Sequence, residues 1–310
     1  MMEDVGKNLD QLMNKKNYRM RYEEMKQEIL QNEEVKQFLV EHQSAITQQD
    51  IEKSFAKLYE FVQEKRKFIQ NDPAMIAPGY EPTLTLNYHF IDVTYVPTKA
   101  LLEKEHRQEV ASRIQTISMP KDIQNASLKE YERTSGRGDA WISAFEFVDA
   151  YTAAPKDFHK GIYFVGSFGV GKTYLLGAIA RDLAEAGYMT TLLHFPTFAV
   201  EMKQAIGKET VGLELTRVKQ APILMIDDIG ADSLSSWIRD EVLGVILQYR
   251  MQEHLPTFFS SNFSMDELEE HLSVTQRGEI EPLKAKRIME RIRYLSQEVS
   301  MSGRNRRERP

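Results

Sequence analysis

The chain has 310 residues, no cysteine, and 46 acidic against 40 basic side chains, for a formal net charge of −6. Without cysteine it has no disulfide, no thiolate chemistry and no zinc site built on cysteine, and its acidic balance argues against a generic polycationic nucleic-acid binder. No apolar run approaches the roughly 18 residues of a membrane span, and the start M-M-E-D-V-G-K-N-L-D lacks the apolar core of a signal peptide. A soluble, cytoplasmic protein with no membrane partner is expected.

Residues 18–69 are predicted helical. Ile51, Phe55, Leu58, Tyr59 and Val62 fall at i, i+4, i+7, i+8 and i+11, one face of a helix. An earlier group (Tyr22, Met25, Ile29, then Val35, Phe38, Leu39) repeats the pattern with an interruption near Gln31-Asn32. These stripes read as the core of a small bundle, and a partner-binding surface on the same helices is compatible with that. The Pro/Gly-punctuated segment 71–82 ends the helical region. L-T-L-N-Y-H-F-I-D-V-T-Y-V then alternates on either side of Asn87-Tyr88-His89, which predicts a β-hairpin packing through Leu84, Leu86, Ile91, Val93 and Tyr95. Residues 99–140 are polar and include S-G-R-G-D. The expected division is a domain over 1–110, a linker over 111–138 and a second domain over 139–310. Beyond it, strands at 162–166, 190–195, 223–227 and 256–261, each followed by a helix, predict a parallel sheet covered by helices. From Lys284 to the end, nine Lys/Arg stand against three Glu, a tail able to meet phosphates or simply to be solvated.

The strongest chemical signal is G-S-F-G-V-G-K-T at 166–173, a full P-loop placed between a strand and a helix. Gly166, Gly169 and Gly171 let backbone N–H groups curl around phosphate oxygens, with Ser167, Phe168 and Val170 completing the loop. Lys172 is placed to reach the β- and γ-phosphates, the Thr173 hydroxyl to ligate Mg²⁺, and Tyr174 continues into a helix whose positive end faces the same anion. The strand I-L-M-I-D-D ends in two carboxylates. Beside a P-loop, Asp227 reads as the Mg²⁺ ligand opposite Thr173, although paired Asp also occur in plain turns. F-F-S-S-N-F places Asn262 at another strand end, as a candidate γ-phosphate contact or a helix cap, with Ser264 the better cap. In K-A-K-R-I-M-E-R-I-R-Y-L, Arg287 and Arg291 share a helix face, where they serve either a neighbouring subunit's nucleotide or surface pairs with Glu290 or Glu279.

Taken together, these motifs resemble the AAA+ ATPases of the bacterial helicase-loader group, which spans the DnaC, DnaI and IstB families. D-D-I-G followed by W-I-R-D-E-V, with P-T-F-F-S-S-N-F, is most similar to the DnaI branch. The resemblance implies an α/β fold with a five-stranded parallel sheet in the order 5-1-4-3-2, its fifth strand within 296–301, preceded by a mainly helical N-terminal domain with a hairpin. It implies ATP/ADP and Mg²⁺ as ligands and a hexameric replicative helicase as main partner. Single-stranded DNA, other primosome proteins and self-association as a ring or spiral follow as further expectations. Carried onto this chain, Asp228 is the acid that activates the attacking water, one methylene shorter than the Glu most such ATPases use. Asn262 is sensor 1 and Arg291 the arginine finger. Arg306 is the expected nucleotide-contacting residue of the tail, with Arg287, Arg304 and Arg307 competing for the sensor 2 role. Hydrolysis is expected to be weak in isolation. Some relatives carry a cysteine-rich zinc site in the N-terminal domain. Here Glu81 and Val96 stand where ligands would be, so no zinc is expected. The alternatives are an IstB-type transposition ATPase, a P-loop kinase, and a nucleotide-binding module without turnover.

Overall fold

The computed structural model describes residues 20–119, 123, 126–134, 136–207 and 209–306. The chain divides into two compact units, Met1–His106 and Arg107–Pro310.

In the first unit a helix over 20–31 (α1) is followed by α2 (Glu33–Glu41), α3 (Gln48–Lys53) and α4 (Phe55–Gln70). The predicted interruption falls at Asn32, whose side chain caps α2 by accepting the N–H groups of Glu34 and Val35. Thr47 and Asp50 form a capping box at α3. Ile29, Val35, Phe38, Phe55, Leu58, Phe61 and Val62 make the core. Tyr59, expected on the buried stripe, is exposed and Phe61 is buried in its place. The helix restarts at Phe55 after a break at Ser54, so a face counted from Ile51 does not carry through. The hairpin pairs β1 (Tyr80–Asn87) with β2 (Phe90–Pro97) around a two-residue turn at Tyr88-His89, with Tyr88 at φ 56°. Ile91 is buried in the helical core, and Leu84, Leu86 and Val93 pack against it. The Ile91 N–H donates to Ser54 Oγ at 2.9 Å, and Tyr95 Oη donates to Glu60 at 3.2 Å. Among the described residues, no group of three or more His, Asp or Glu is arranged to hold a metal.

The two units meet in sequence within α5 (Lys99–Ser112). In the second unit β3 (Ile114–Ile117), β4 (Gly161–Gly166), β5 (Thr190–His194), β6 (Ile223–Asp227), β7 (Thr257–Ser261) and β8 (Ser296–Met301) form a parallel sheet in the order β3-β5-β6-β7-β4-β8. The five predicted strands hold the expected order, and the sheet has a sixth strand outside β5. That strand corrects the linker reading of 111–138. Ile114 and Ile117 are buried, and Ile123, Ala126, Leu128 and Tyr131 belong to the core of the second unit. The segment ran polar in sequence because its strand is only four residues long and lies at a sheet edge.

Successive residues of each central strand serve opposite cores. Ile223 and Met225 of β6 join Ile162, Phe164, Leu192 and Phe258 on one face, while Leu224 and Ile226 join Tyr163, Leu193 and Phe259 on the other. Such two-sided burial explains why these strands read as continuous apolar runs. One face is covered by α6 (Gly138–Ala153) and α7 (Lys172–Glu185). The other carries α8 (Phe195–Ile206), α9 (Val211–Lys219), a helix over 236–252 with a π turn at Ile238–Leu243, α11 (Met265–Ser273) and α12 (Pro282–Leu295). Here α10 denotes the regular part of the 236–252 helix, Gly244–Gln252. Fully buried Arg250 closes the end of the sheet opposite the P-loop, donating to Thr257 Oγ1 and to the carbonyls of Lys219, Ala221 and Pro256. No helix among the described residues is long and apolar enough to cross a membrane.

Candidate nucleotide site

The carboxyl ends of β4, β6 and β7 and the start of α7 converge on a cavity of about 600 Å³. Phe168, Gly169, Gly171, Lys172, Thr173 and Tyr174 line it from the P-loop. Gly169 and Gly171 adopt φ +74° and +101°, where a side chain would be strained. Val170 turns its side chain into the core and is not among the residues that line the cavity. Gly166 and Ser167 hold the loop's base from behind, through carbonyls that accept from Lys172 Nζ at 2.7 and 3.0 Å.

Lys172 also donates to Asn262 Oδ1 at 2.7 Å, so the strand-end amide and the P-loop cation already face each other. Ser264, not Asn262, caps α11, in a capping box with Glu267. β7 lies between β4 and β6, which is what places Asn262 over the P-loop.

Thr173 Oγ1 donates to the Asp227 carboxylate at 2.9 and 3.1 Å, and Ser260 Oγ donates to Asp227 Oδ1 at 2.5 Å. Burial pushes the Asp227 carboxyl upward, against the hydrogen bonds from Ser260 and Thr173, and the neighbouring Asp228 charge pushes the same way as burial. A buried carboxylate beside a hydroxyl, with a second carboxylate next to it, is a set of hard oxygen donors that fits Mg²⁺. Asp228 sits in the left-handed region at φ 61°, a strained geometry that Asp tolerates better than most residues, and its N–H donates to Ser260 Oγ at 3.0 Å. Ser260 thus organises both carboxylates. Its role was not legible, because one serine in a strand carries no spacing signal.

The other end of the cavity, apart from Arg306, was also missed. Tyr131 and Arg137, from the segment expected to be linker, line it together with Glu130, Glu132 and Arg306. The tail after β8 crosses here. The Ser302 N–H donates to the Gly136 carbonyl at 2.8 Å, the Arg306 N–H donates to the Gly169 carbonyl at 3.1 Å, and the Arg306 guanidinium pairs with Glu132. Arg306 therefore reaches the P-loop within its own chain, whereas Arg304 lines a separate small recess with Gly136 and Ser302. Arg307 lies outside the described residues. Arg291 does not line the cavity; its Nε donates to Gln248 on α10 at 2.9 Å, and burial together with nearby Arg287 lowers its pKa. Arg287 is exposed, and Arg293 is turned to Asp266 and Glu269 of α11.

Residues 2–95 match the family model described as the primosomal protein DnaI N-terminus, and residues 96–309 match that of IstB-like ATP binding proteins. The chain is 38% identical to the replicative helicase loader DnaI of Bacillus subtilis over 313 residues, covering 99% of both chains. Among solved structures, a crystal structure of DnaI matches at 43% identity with a TM-score of 0.55, covering 64% of this chain and 99% of that one. A primosome component from Streptococcus pyogenes matches at 43% identity and a TM-score of 0.54, covering 64% and 97%. The likeness to the insertion-sequence ATP-binding protein of Pseudomonas fluorescens is narrower, 30% identity over 26% of this chain. On the full-length match, with both halves in their expected order, the chain belongs to the DnaI family of helicase loaders, with an IstB-like ATP-binding domain of AAA+ fold at its C-terminal end.

Proposed function

We propose that the chain is an ATP-responsive switch that delivers a hexameric replicative helicase to DNA during primosome assembly, in the cytoplasm. The observation that carries this reading is the joining of a full-length helicase-loader match to a preformed P-loop, Asp227 and Asn262 arrangement. The N-terminal unit is the proposed helicase grip, single-stranded DNA and other primosome proteins are further proposed partners, and the C-terminal unit is the switch. The match across residues 2–95 favours this over a transposition ATPase.

In the nucleotide site, Lys172 is held by two P-loop carbonyls and Asn262, acceptors that occupy its donors until phosphate oxygens take them over. Thr173 and Asp227 would hold Mg²⁺, and the bound Mg-ATP supplies the phosphoanhydride whose hydrolysis drives the switch. Asp228 is the residue to orient the attacking water and accept its proton, and Asn262 to bridge water and phosphate. Arg291 does not line its own chain's cavity and is bound to Gln248, which supports a role toward a neighbouring subunit's nucleotide in a ring or spiral on the helicase. Turnover by the isolated chain is therefore slow.

The test has two parts. Residues 1–110 and the full chain are used to capture the organism's replicative helicase; failure of both to bind it removes the loader reading. ATPase rate is then followed against protein concentration, with and without single-stranded DNA. Lys172→Ala abolishes binding or turnover, and Asp228→Asn keeps binding while losing hydrolysis. A fast, concentration-independent rate that survives Arg291→Ala refutes the trans arrangement.

A further inference from the structure

Among the described residues Arg137 has no charge partner. It is 3% exposed, and among the described residues no carboxylate stands within ion-pair distance of it. Its Nε donates to Tyr131 Oη at 3.0 Å, and its guanidinium lies over the Tyr131 ring at 4.1 Å. Its Nη1 is buried and has no hydrogen-bond partner among the described residues. Glu132, which lines the same cavity, is taken by Arg306. A buried cation in this state is costly, and folded proteins keep such groups where an anion completes them.

The position says which anion. Arg137 lines the nucleotide cavity, and its Nη2 lies 2.6 Å from where a Cβ on Gly171 would stand. Gly171 precedes Lys172, so the guanidinium sits against the phosphate-binding turn itself. Aromatic contact with Tyr131 fixes the plane of the fork and leaves one N–H₂ edge to donate. Resting on the reading of this cavity as a nucleotide site, we propose that Arg137 is an additional phosphate-binding residue. Its guanidinium donates to a phosphate oxygen of the bound nucleotide through the Nη2 edge that lies against Gly171, and the nucleotide supplies the missing counter-charge. The last residue before α6 thereby becomes part of the ATP site, supplied by the segment between β3 and that helix.

The test uses the full chain with Mg-ATP and Mg-ADP, inorganic pyrophosphate as a base-free probe displacing a fluorescent ADP analogue, and melting curves of the nucleotide-free protein. Arg137→Gln is expected to weaken ATP, ADP and pyrophosphate by a common factor of tenfold or more. It leaves the nucleotide-free melting temperature equal or higher, because an uncompensated buried charge is gone. A merely structural arginine would do the reverse, lowering that temperature and sparing affinity. Arg137→Lys keeps the charge but loses the fork and is expected to lose at least threefold; if the glutamine variant does not fold, wild-type affinity in the lysine variant overturns the proposal. ATP affinity within twofold of wild type in Arg137→Gln, while Lys172→Ala has lost binding, overturns the phosphate role and leaves the nucleotide reading standing. Loss confined to ATP and ADP with pyrophosphate unaffected also overturns it, in favour of a base or ribose contact. Failure of the wild-type chain to bind Mg-ATP, Mg-ADP or pyrophosphate removes the nucleotide reading itself.

Discussion

Ser260→Ala isolates what holds the two acidic residues in place. The Ser260 hydroxyl is buried, donates to Asp227 at 2.5 Å and accepts the Asp228 N–H at 3.0 Å. Its removal takes a charge-assisted hydrogen bond from Asp227 and leaves one backbone donor unpaired, at a combined cost of about 3 kcal/mol. For a unit of some 200 residues that corresponds to a melting temperature lower by roughly 6–12 °C. A second effect follows from charge. The Ser260 bond holds the Asp227 carboxyl down against burial, so without it the proton competes better with Mg²⁺. The Mg²⁺ concentration for half-maximal nucleotide binding therefore rises, and rises more at pH 6.5 than at pH 8. Thermal melts and Mg²⁺ titrations at both pH values measure the two effects. Ser261→Ala is the control. Its hydroxyl donates to the Ile229 carbonyl at 2.6 Å and touches neither carboxylate, so it loses stability without changing the Mg²⁺ midpoint. If Ser260→Ala melts with wild type and keeps the wild-type Mg²⁺ midpoint at pH 6.5, the account of Asp227 is wrong.

Three further outcomes are expected. A Cβ at Gly169 would stand 1.7 Å from Asn305 Oδ1 at a φ of +74°. Gly169→Ala should therefore displace the tail and weaken nucleotide binding. In a chain ending at Gly303 the same substitution should keep only the backbone cost of about 1–2 kcal/mol; equal penalties in both backgrounds would show that the tail does not touch the loop. In the first unit, buried Glu64 resists burial through the Ile76 N–H and Lys67, which hold its pKa below the ordinary 4.5. Since the folded value is depressed, the stability it contributes is present above pH 4.5 and is lost as pH falls through that lower value. Glu64→Gln should thus destabilise the protein at pH 7, and the difference should shrink as pH falls below 4.5; a constant difference from pH 7 into that acid range would contradict the assignment. Finally, the hairpin rests on Ile91, Leu84, Leu86 and Val93 packed against helices, so metal analysis should find no stoichiometric zinc, and finding it would overturn that reading.

What could be read from the sequence was whatever repeats or has a fixed spacing. The P-loop, the strand ending at Asp227, the hairpin around Tyr88-His89 and the Ser264 cap all fall where their patterns put them. The misses share a different character. β3 is four residues long, and its pairing with Thr190–Leu193 is a contact across more than 70 positions that no local pattern encodes. Tyr131 and Arg137 come from the same polar stretch and gain their meaning only when folded against Gly171. Tyr59 went astray because a periodicity count runs through Ser54, where the helix itself does not.

The edge strand β3 also limits how the ATP-binding half can be cut. A fragment starting at 139, the boundary that composition recommends, would strip β5 of its neighbour and lay bare the backbone of Thr190–His194, a flat run of T-T-L-L-H open to pairing with other chains. It would also lose Tyr131 and Arg137 from the cavity. A fragment beginning ahead of Arg107 keeps both. Aggregation or weak nucleotide binding in the shorter piece would then reflect where the cut was made and not the chemistry of the nucleotide site.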